Sequence, residues 1–304
     1  MKKHKRILWT KKEEELLKKN YSKLKNEELK KLLKNRTYVA ITLRANKLGL
    51  FKNNGSIKGD VTALLNDTNE VYYWIGFIMA DGTINHKQNI LKVGLNFLDL
   101  EHLKKLSKFL KMGDPHRYKK IVELKIMDNY TLPSIIEKYD FKPRKTYNPP
   151  NLEYLNLNDD YFYSFLIGFI DGDGTILKRK GREEYRISIK LHNSWFNNLK
   201  FFHNKISKLL DVEPKGIYDY KFPILTFSDF RILKQLKRKA IEFGLPILDR
   251  KWNKIDLNRV TRIEQGEINR IKIKKMLLSG KSVNEISKKT GLTYSNVYAI
   301  VNYN

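Results

Sequence analysis

The chain has 304 residues and no cysteine. Disulfide bonds, thiolate metal sites and cysteine nucleophiles are therefore excluded. Long apolar runs are lacking too. None reaches the ~18 residues that a membrane-spanning helix needs, so no membrane partner is expected. The opening Met-Lys-Lys-His-Lys-Arg is charged with no apolar stretch behind it. A secretory leader is not expected there, and a cytoplasmic protein is the default. Acidic residues are scarce beside basic ones, 33 against 60, for a net charge of +27. A surplus of that size points to a polyanionic partner, most often nucleic acid.

The surplus is uneven. Residues 1–58 carry a net +13 and residues 261–304 a net +5, which leaves +9 for the long middle. Basic ends of this kind suit arms that grip phosphates. The length allows two domains, or one duplicated core with small appendages. Duplication is visible directly. Trp74-Ile-Gly-Phe-Ile-Met-Ala-Asp-Gly82 returns as Leu166-Ile-Gly-Phe-Ile-Asp-Gly-Asp-Gly174, and both are followed by Thr-Ile. Asp81 and Asp173 lie 92 residues apart, which fits repetition of a whole structural unit.

Residues 1–58 read as three helices. Thr10 and Glu13 form a capping box ahead of Leu16 and Leu17. Asn26 caps a second helix with Leu29, Leu32 and Leu33. Thr37 caps a third with Ile41, Ala45 and Leu48 on one face, ended by Gly49. Together with Trp9, this spacing resembles a Myb/SANT-type helix-turn-helix. The resemblance implies a third helix in the major groove, with Tyr38, Thr42, Asn46 and Lys47 outward and Arg36 and Arg44 on phosphates. Residues 51–60 are rich in Gly and Asn and read as a linker.

Two halves follow, over 59–160 and 161–260. In the first, Leu91, Val93, Leu95 and Phe97 alternate with Lys92, Gly94 and Asn96, the pattern of a half-buried strand. In the second, Arg186, Ser188, Lys190 and His192 mark the polar face of a similar strand. Helical spacing follows each strand, then further strands and another helix. The order helix–strands–helix–strands–helix occurs twice, which predicts an α+β class with antiparallel sheets.

From about Asn69 to Lys254 the chain resembles the single-chain, two-motif LAGLIDADG homing endonucleases. The resemblance implies a pseudo-twofold core whose two motif helices pair and whose sheets form a DNA saddle. Gly76, Ala80, Gly168 and Gly172 are small enough to let two helices approach closely. Each motif Asp then stands at a helix C-terminus, where the dipole is already negative, so cations or a raised pKa are required. Gly82 and Gly174 are expected in left-handed caps just beyond. A hard divalent ion with oxygen ligands, Mg²⁺ or Mn²⁺, suits Asp81 and Asp173 as metal ligands and catalytic groups. Asp171 is expected to be structural. Asp140-Phe-Lys-Pro-Arg-Lys145-Thr and Gly244-Leu-Pro-Ile-Leu-Asp-Arg-Lys251 resemble the family's late basic segments. They imply catalytic roles for Lys145 and Lys251 as charge stabilisers or water organisers. Lys92, Arg186, Ser188 and Lys190 are expected on DNA, with Asn96 and His192 also placed to orient water.

Residues 261–304 read as another helical module. A helix from Ile268 to Leu278 ends at Ser279-Gly280, Ser282 and Glu285 form a capping box, and Gly291-Leu292 makes a turn. The run resembles a resolvase-type helix-turn-helix and implies that Tyr294, Ser295, Asn296 and Tyr298 face a groove. The expectation is a monomeric, metal-dependent, site-specific double-strand DNA endonuclease leaving short 3′ overhangs and serving a mobile element. Two alternatives stay open, a non-cleaving DNA-binding regulator and an RNA-binding intron maturase of the same fold.

Overall fold

A computed structural model of the chain describes residues 8–24, 26–50, 59–129, 131–178, 185–213, 215–218 and 221–302. The expected linker falls largely on residues 51–58, outside the described residues, as do the side chains of Asn26 and Asn46.

Three short helices come first, α1 (Lys11–Asn20), α2 (Asn26–Leu32) and α3 (Tyr38–Lys47). Thr10 and Glu13 form the capping box reciprocally. Leu17, Tyr21, Leu29, Leu33, Ile41 and Ala45 make a small core, with Trp9 packed against it. Arg36 is part of that unit. Its guanidinium is buried, pairs with Glu13 at 2.9 Å and lies 4.6 Å over the Trp9 ring. A group so placed is not presented to phosphate, which corrects the expectation for Arg36.

The middle of the chain contains α4 (Asn69–Asp81), β1 (Gly82–Asn85), β2 (Ile90–Asn96), α5 (Leu100–Phe109), β3 (His116–Tyr118), β4 (Ile121–Met127) and α6 (Thr131–Lys138). The same order repeats as α7 (Asp159–Asp173), β5 (Gly174–Lys178), β6 (Tyr185–Lys190), α8 (Phe196–Leu210), β7 (Lys215–Tyr218), β8 (Ile224–Phe227) and α9 (Phe230–Glu242), with a short α10 (Asp249–Trp252) behind it. The two sheets run β1-β2-β4-β3 and β5-β6-β8-β7, with every adjacent pair antiparallel. The class is α+β, as the alternation of strand and helix patterns predicts. The short strands β1, β3 and β5 escape the periodicity reading because three to five residues hold too few alternations.

α4 and α7 form the central seam. Val71 to Ala80 and Phe162 to Asp171 are buried throughout, so neither helix has a wet face. Glycine decides how closely they approach. A Cβ on Gly76 would strike the Phe165 carbonyl, and one on Gly168 would strike the Tyr73 carbonyl. Backbone thus packs on backbone. Gly82 and Gly174 are not left-handed caps. Their φ values are −74° and −81° in extended backbone. They are required because a Cβ there would press on the carbonyl oxygens of Ile78 and Ile170.

The chain ends in α11 (Arg262–Leu278), α12 (Val283–Thr290) and α13 (Tyr294–Asn302). α11 starts six residues before the expected Ile268, because Thr261 and Glu264 form a further capping box. Glu264 also accepts from Lys234 of α9 at 2.8 Å, tying this helix to the core. Ile273, Ile286 and Val297 are the centre of the terminal module, and Gly291 turns the chain at φ 71°. Among the described residues no helix is long and apolar enough to cross a membrane.

Candidate active site and nucleic-acid interface

The paired helices end side by side. The Asp81 carboxyl carbon lies 3.5 Å from where a Cβ on Gly172 would stand, one residue before Asp173. Burial raises the Asp81 pKa to about 6, and the charge of Asp173 adds to it. Asp173 keeps a face open to solvent but is crowded elsewhere, and burial raises its pKa too, against the lowering pull of Lys145 and Lys251. Two carboxylates therefore share one centre at two negative helix ends.

A lysine reaches each helix end. Lys145 Nζ donates to the carbonyls of Met79, at 2.6 Å, and Ala80. Lys251 Nζ donates to Ile170 at 2.9 Å, Asp171 at 2.6 Å and Gly174 at 2.7 Å, with Gly172 at 3.3 Å. Burial lowers both lysine pKa values, and the nearby aspartates oppose the fall. The two are not equivalent. Lys251 is only 6% exposed, and its three N–H bonds are occupied by carbonyl oxygens. Its position is that of a helix cap whose charge acts on the aspartates through space, not of a group facing a substrate. Lys145 lines the open cavities beside both Asp81 and Asp173.

The lysine segments cross over between halves. Trp195 Nε1 donates to the Lys145 carbonyl at 3.0 Å, and Ser194 Oγ to the Thr146 carbonyl at 2.6 Å. On the other side Arg250 pairs with Asp99 of the first half, and Lys105 with Asp249. Asp171 reinforces this second crossing. It is 2% exposed and accepts from Tyr73 Oη at 2.7 Å, Trp252 Nε1 at 2.7 Å and the Leu248 N–H at 2.9 Å. Met79 is the residue at that place in the first repeat, so the second site has a polar brace that the first lacks.

No family model matches the chain, and no curated protein matches it. Distant fold likenesses appear among solved structures. One is the meganuclease I-SmaMI bound to uncleavable DNA with a TTCT central four, at 15% identity, with 65% of this chain and 95% of that chain covered and a TM-score of 0.41. Another is the LAGLIDADG meganuclease I-AabMI bound to uncleaved DNA, at 13% identity, 76% and 96% coverage and a TM-score of 0.37. Full-length DUF199/WhiA from Thermatoga maritima matches at 16% identity, 79% and 93% coverage and a TM-score of 0.38.

Several expected contact residues stand elsewhere than their sequence position suggests. Asn96 caps a short turn by accepting from Leu98 N–H at 3.0 Å, and His192 does the same for Ser194 at 3.3 Å. These contacts occupy Asn96 Oδ1 and His192 Nδ1. Lys92 is half-exposed and lies 3.4 Å from Glu123. Arg186, Ser188 and Lys190 share the wet face of β6, lining a cavity with Asp173, Thr175 and Thr226. In the N-terminal module Tyr38 and Lys47 are exposed, but Thr42 turns its hydroxyl inward toward Tyr21 and Arg44 pairs with Glu14. The exposed α3 surface includes Val39 and Leu43, which the helical reading left unassigned. Tyr294, Ser295, Asn296 and Tyr298 are all exposed, with the two tyrosine rings stacked at 6.0 Å.

Among the described residues no group of three or more His, Asp or Glu side chains could hold a metal ion. Asp81 and Asp173 are a donor set of two carboxylates. That donor set fits a hard cation such as Mg²⁺, which takes one or two carboxylates and completes its shell with water and phosphate oxygens.

Proposed function

We propose that the chain is a LAGLIDADG-type, metal-dependent DNA endonuclease in which Asp81 and Asp173 hold divalent cations against a phosphodiester. The observation that carries this reading is the convergence of two crowded carboxylates at the joined ends of glycine-packed helices, beneath two antiparallel sheets with polar faces. Burial and the charge of Asp173 raise the Asp81 pKa, and a bound cation removes that penalty. Bound Mg²⁺ supplies charge neutralisation at the phosphate and lowers the pKa of a coordinated water. Lys145 stands at the open side of the carboxylates and stabilises developing negative charge. Lys251 holds the end of α7 and sets the electrostatics of the centre from behind. The basic face of β6, with Arg186 and Lys190, holds the backbone of the duplex, and α3 and α13 lengthen the contacted site by tethering.

The test is incubation of the full chain with duplex DNA spanning the uninterrupted form of its own genomic locus, with and without Mg²⁺. The expected result is double-strand cleavage that needs the metal and is lost in Asp81→Asn and in Asp173→Asn. Cleavage untouched by both substitutions rejects the mechanism. Binding with no cleavage under any metal assigns the chain to the regulator class instead.

A further inference from the structure

The cavity beside Asp173 has a lining that its counterpart lacks. It encloses about 480 Å³, within the ~300–1,000 Å³ range of small-ligand pockets. Three rings stand around it. Tyr147 meets His192 edge-on at 4.9 Å, and His192 meets Phe222 at 6.3 Å. Lys190 Nζ lies 5.6 Å over the Phe222 ring, and Lys145 is on the wall beside Asp173. The chain crossing makes this pocket, because Tyr147 comes from the first half and His192 and Phe222 from the second.

The repeat provides an internal control. His192 corresponds to Asn96, since each caps the short turn after its strand. The strand registers then match Lys190 to Gly94 and Phe222 to Ile121, and the lysine segments match Tyr147 to Asn253. The corresponding four positions hold no aromatic ring and no cation. A metal centre alone requires no such difference, because each half contributes one aspartate, Asp81 or Asp173.

Tyr147 is 70% exposed and Phe222 39% exposed, so neither ring is a core residue. Flat π-faces flanked by lysines suit an aromatic group attached to phosphates. We propose that this cavity receives one unstacked base of the bound DNA strand, held against Tyr147 and Phe222, with Lys190 and Lys145 on the adjoining phosphates. Aromatic platforms of this kind hold bases taken out of a stack. The pocket then marks one half of the target and sets the orientation in which an otherwise near-symmetric core lies on DNA. The inference rests on the endonuclease-type reading above, through its requirement for a DNA duplex over the sheets.

A duplex is first selected from a randomised library on the full chain without divalent cation, so that no strand is cut. It is resynthesised with 2-aminopurine at each position in turn, and the emission decay is read free and bound. The expected result is a change from stacked to unstacked decay at one position, confined to one half of the site. Tyr147→Ala combined with Phe222→Ala should restore the stacked decay there and weaken binding about tenfold, the size of one lost base–aromatic stack. Both side chains are surface-exposed, and thermal unfolding verifies that the variant folds. A bound duplex with stacked decay at every position overturns the proposal, as does an unstacked base indifferent to the two substitutions. Failure to retain any duplex overturns the DNA reading beneath it.

Discussion

Asp81→Asn should make the metal-free protein more stable at neutral pH. The Asp81 carboxyl has its pKa raised from 3.8 to about 6, by burial first and then by Asp173. Between these values the folded chain keeps a proton that the unfolded chain has lost. Stability therefore falls as the pH rises through that window, and the full penalty stands above pH 6. A difference of about two pH units corresponds to about 3 kcal/mol at most. Partial exposure of the carboxyl to water screens part of it, so a gain of about 1.5–3 kcal/mol is expected. At about 2 °C per kcal/mol, the core transition rises by about 3–6 °C at pH 7.5. Thermal unfolding followed by circular dichroism from pH 3.5 to 8, in EDTA, measures it. The gain should shrink steadily below pH 6 and approach zero only as the pH falls below 3.8, where the unfolded chain takes up the proton as well. A destabilised variant at pH 7.5, or a gain that does not vary with pH, refutes the claim that the carboxylate is held at an electrostatic cost.

The remaining expectations probe the supports of that centre. Millimolar Mg²⁺ or Ca²⁺ should raise the melting temperature of the unmodified chain at pH 7.5 and leave Asp173→Asn unmoved, as ligand linkage requires; a shift retained in the variant places the cation elsewhere. Lys251→Met should destabilise the core by about 2–4 kcal/mol in urea titration, because it leaves the carbonyls at the end of α7 unpaired; Lys145→Met, with two carbonyl partners, should do less. Gly168→Ala should cost at least ~3 kcal/mol, since the new methyl meets the backbone of Tyr73 and not a side chain that could turn away. Arg36→Ala should melt the N-terminal module alone, seen as loss of a separate early transition with the core transition unchanged, because the guanidinium joins Trp9 to Glu13 inside that small core.

Much of the fold is legible in local signals. The capping boxes at Thr10–Glu13 and Ser282–Glu285 form as their spacing predicts, because a cap needs only four residues to be satisfied. β2 and β6 announce themselves by alternation, and the repeated apolar helix stands out because it occurs twice. Glycine misleads at two places for one reason. Gly82 and Gly174 follow a helix, which suggests a left-handed cap, yet what excludes a Cβ there is the carbonyl one turn back. The arginines of the N-terminal module show the matching error in charge. Arg36 and Arg44 look like phosphate ligands until Glu13 and Glu14, more than twenty residues earlier, are seen beside them.

The composition and the duplicated motif determined the class of this protein by themselves: a basic chain with a doubled α+β core and one aspartate at the end of each apolar helix. Helical and strand periods are short-range properties, and so is the negative end of a helix dipole. Only the tertiary structure decided that the two halves are unequal. Lys145 and Lys251 occupy matching sequence positions, but the folded chain leaves one lining open cavities and seals the other under α7. Asp171 adds a buried carboxylate brace to one crossing that Met79 cannot add to the other. Tyr147 meets His192, 45 positions further along the chain, to shape a pocket that no single stretch contains. These differences arise where segments far apart in the chain pack against each other, and no local period carries information about which partners they will find.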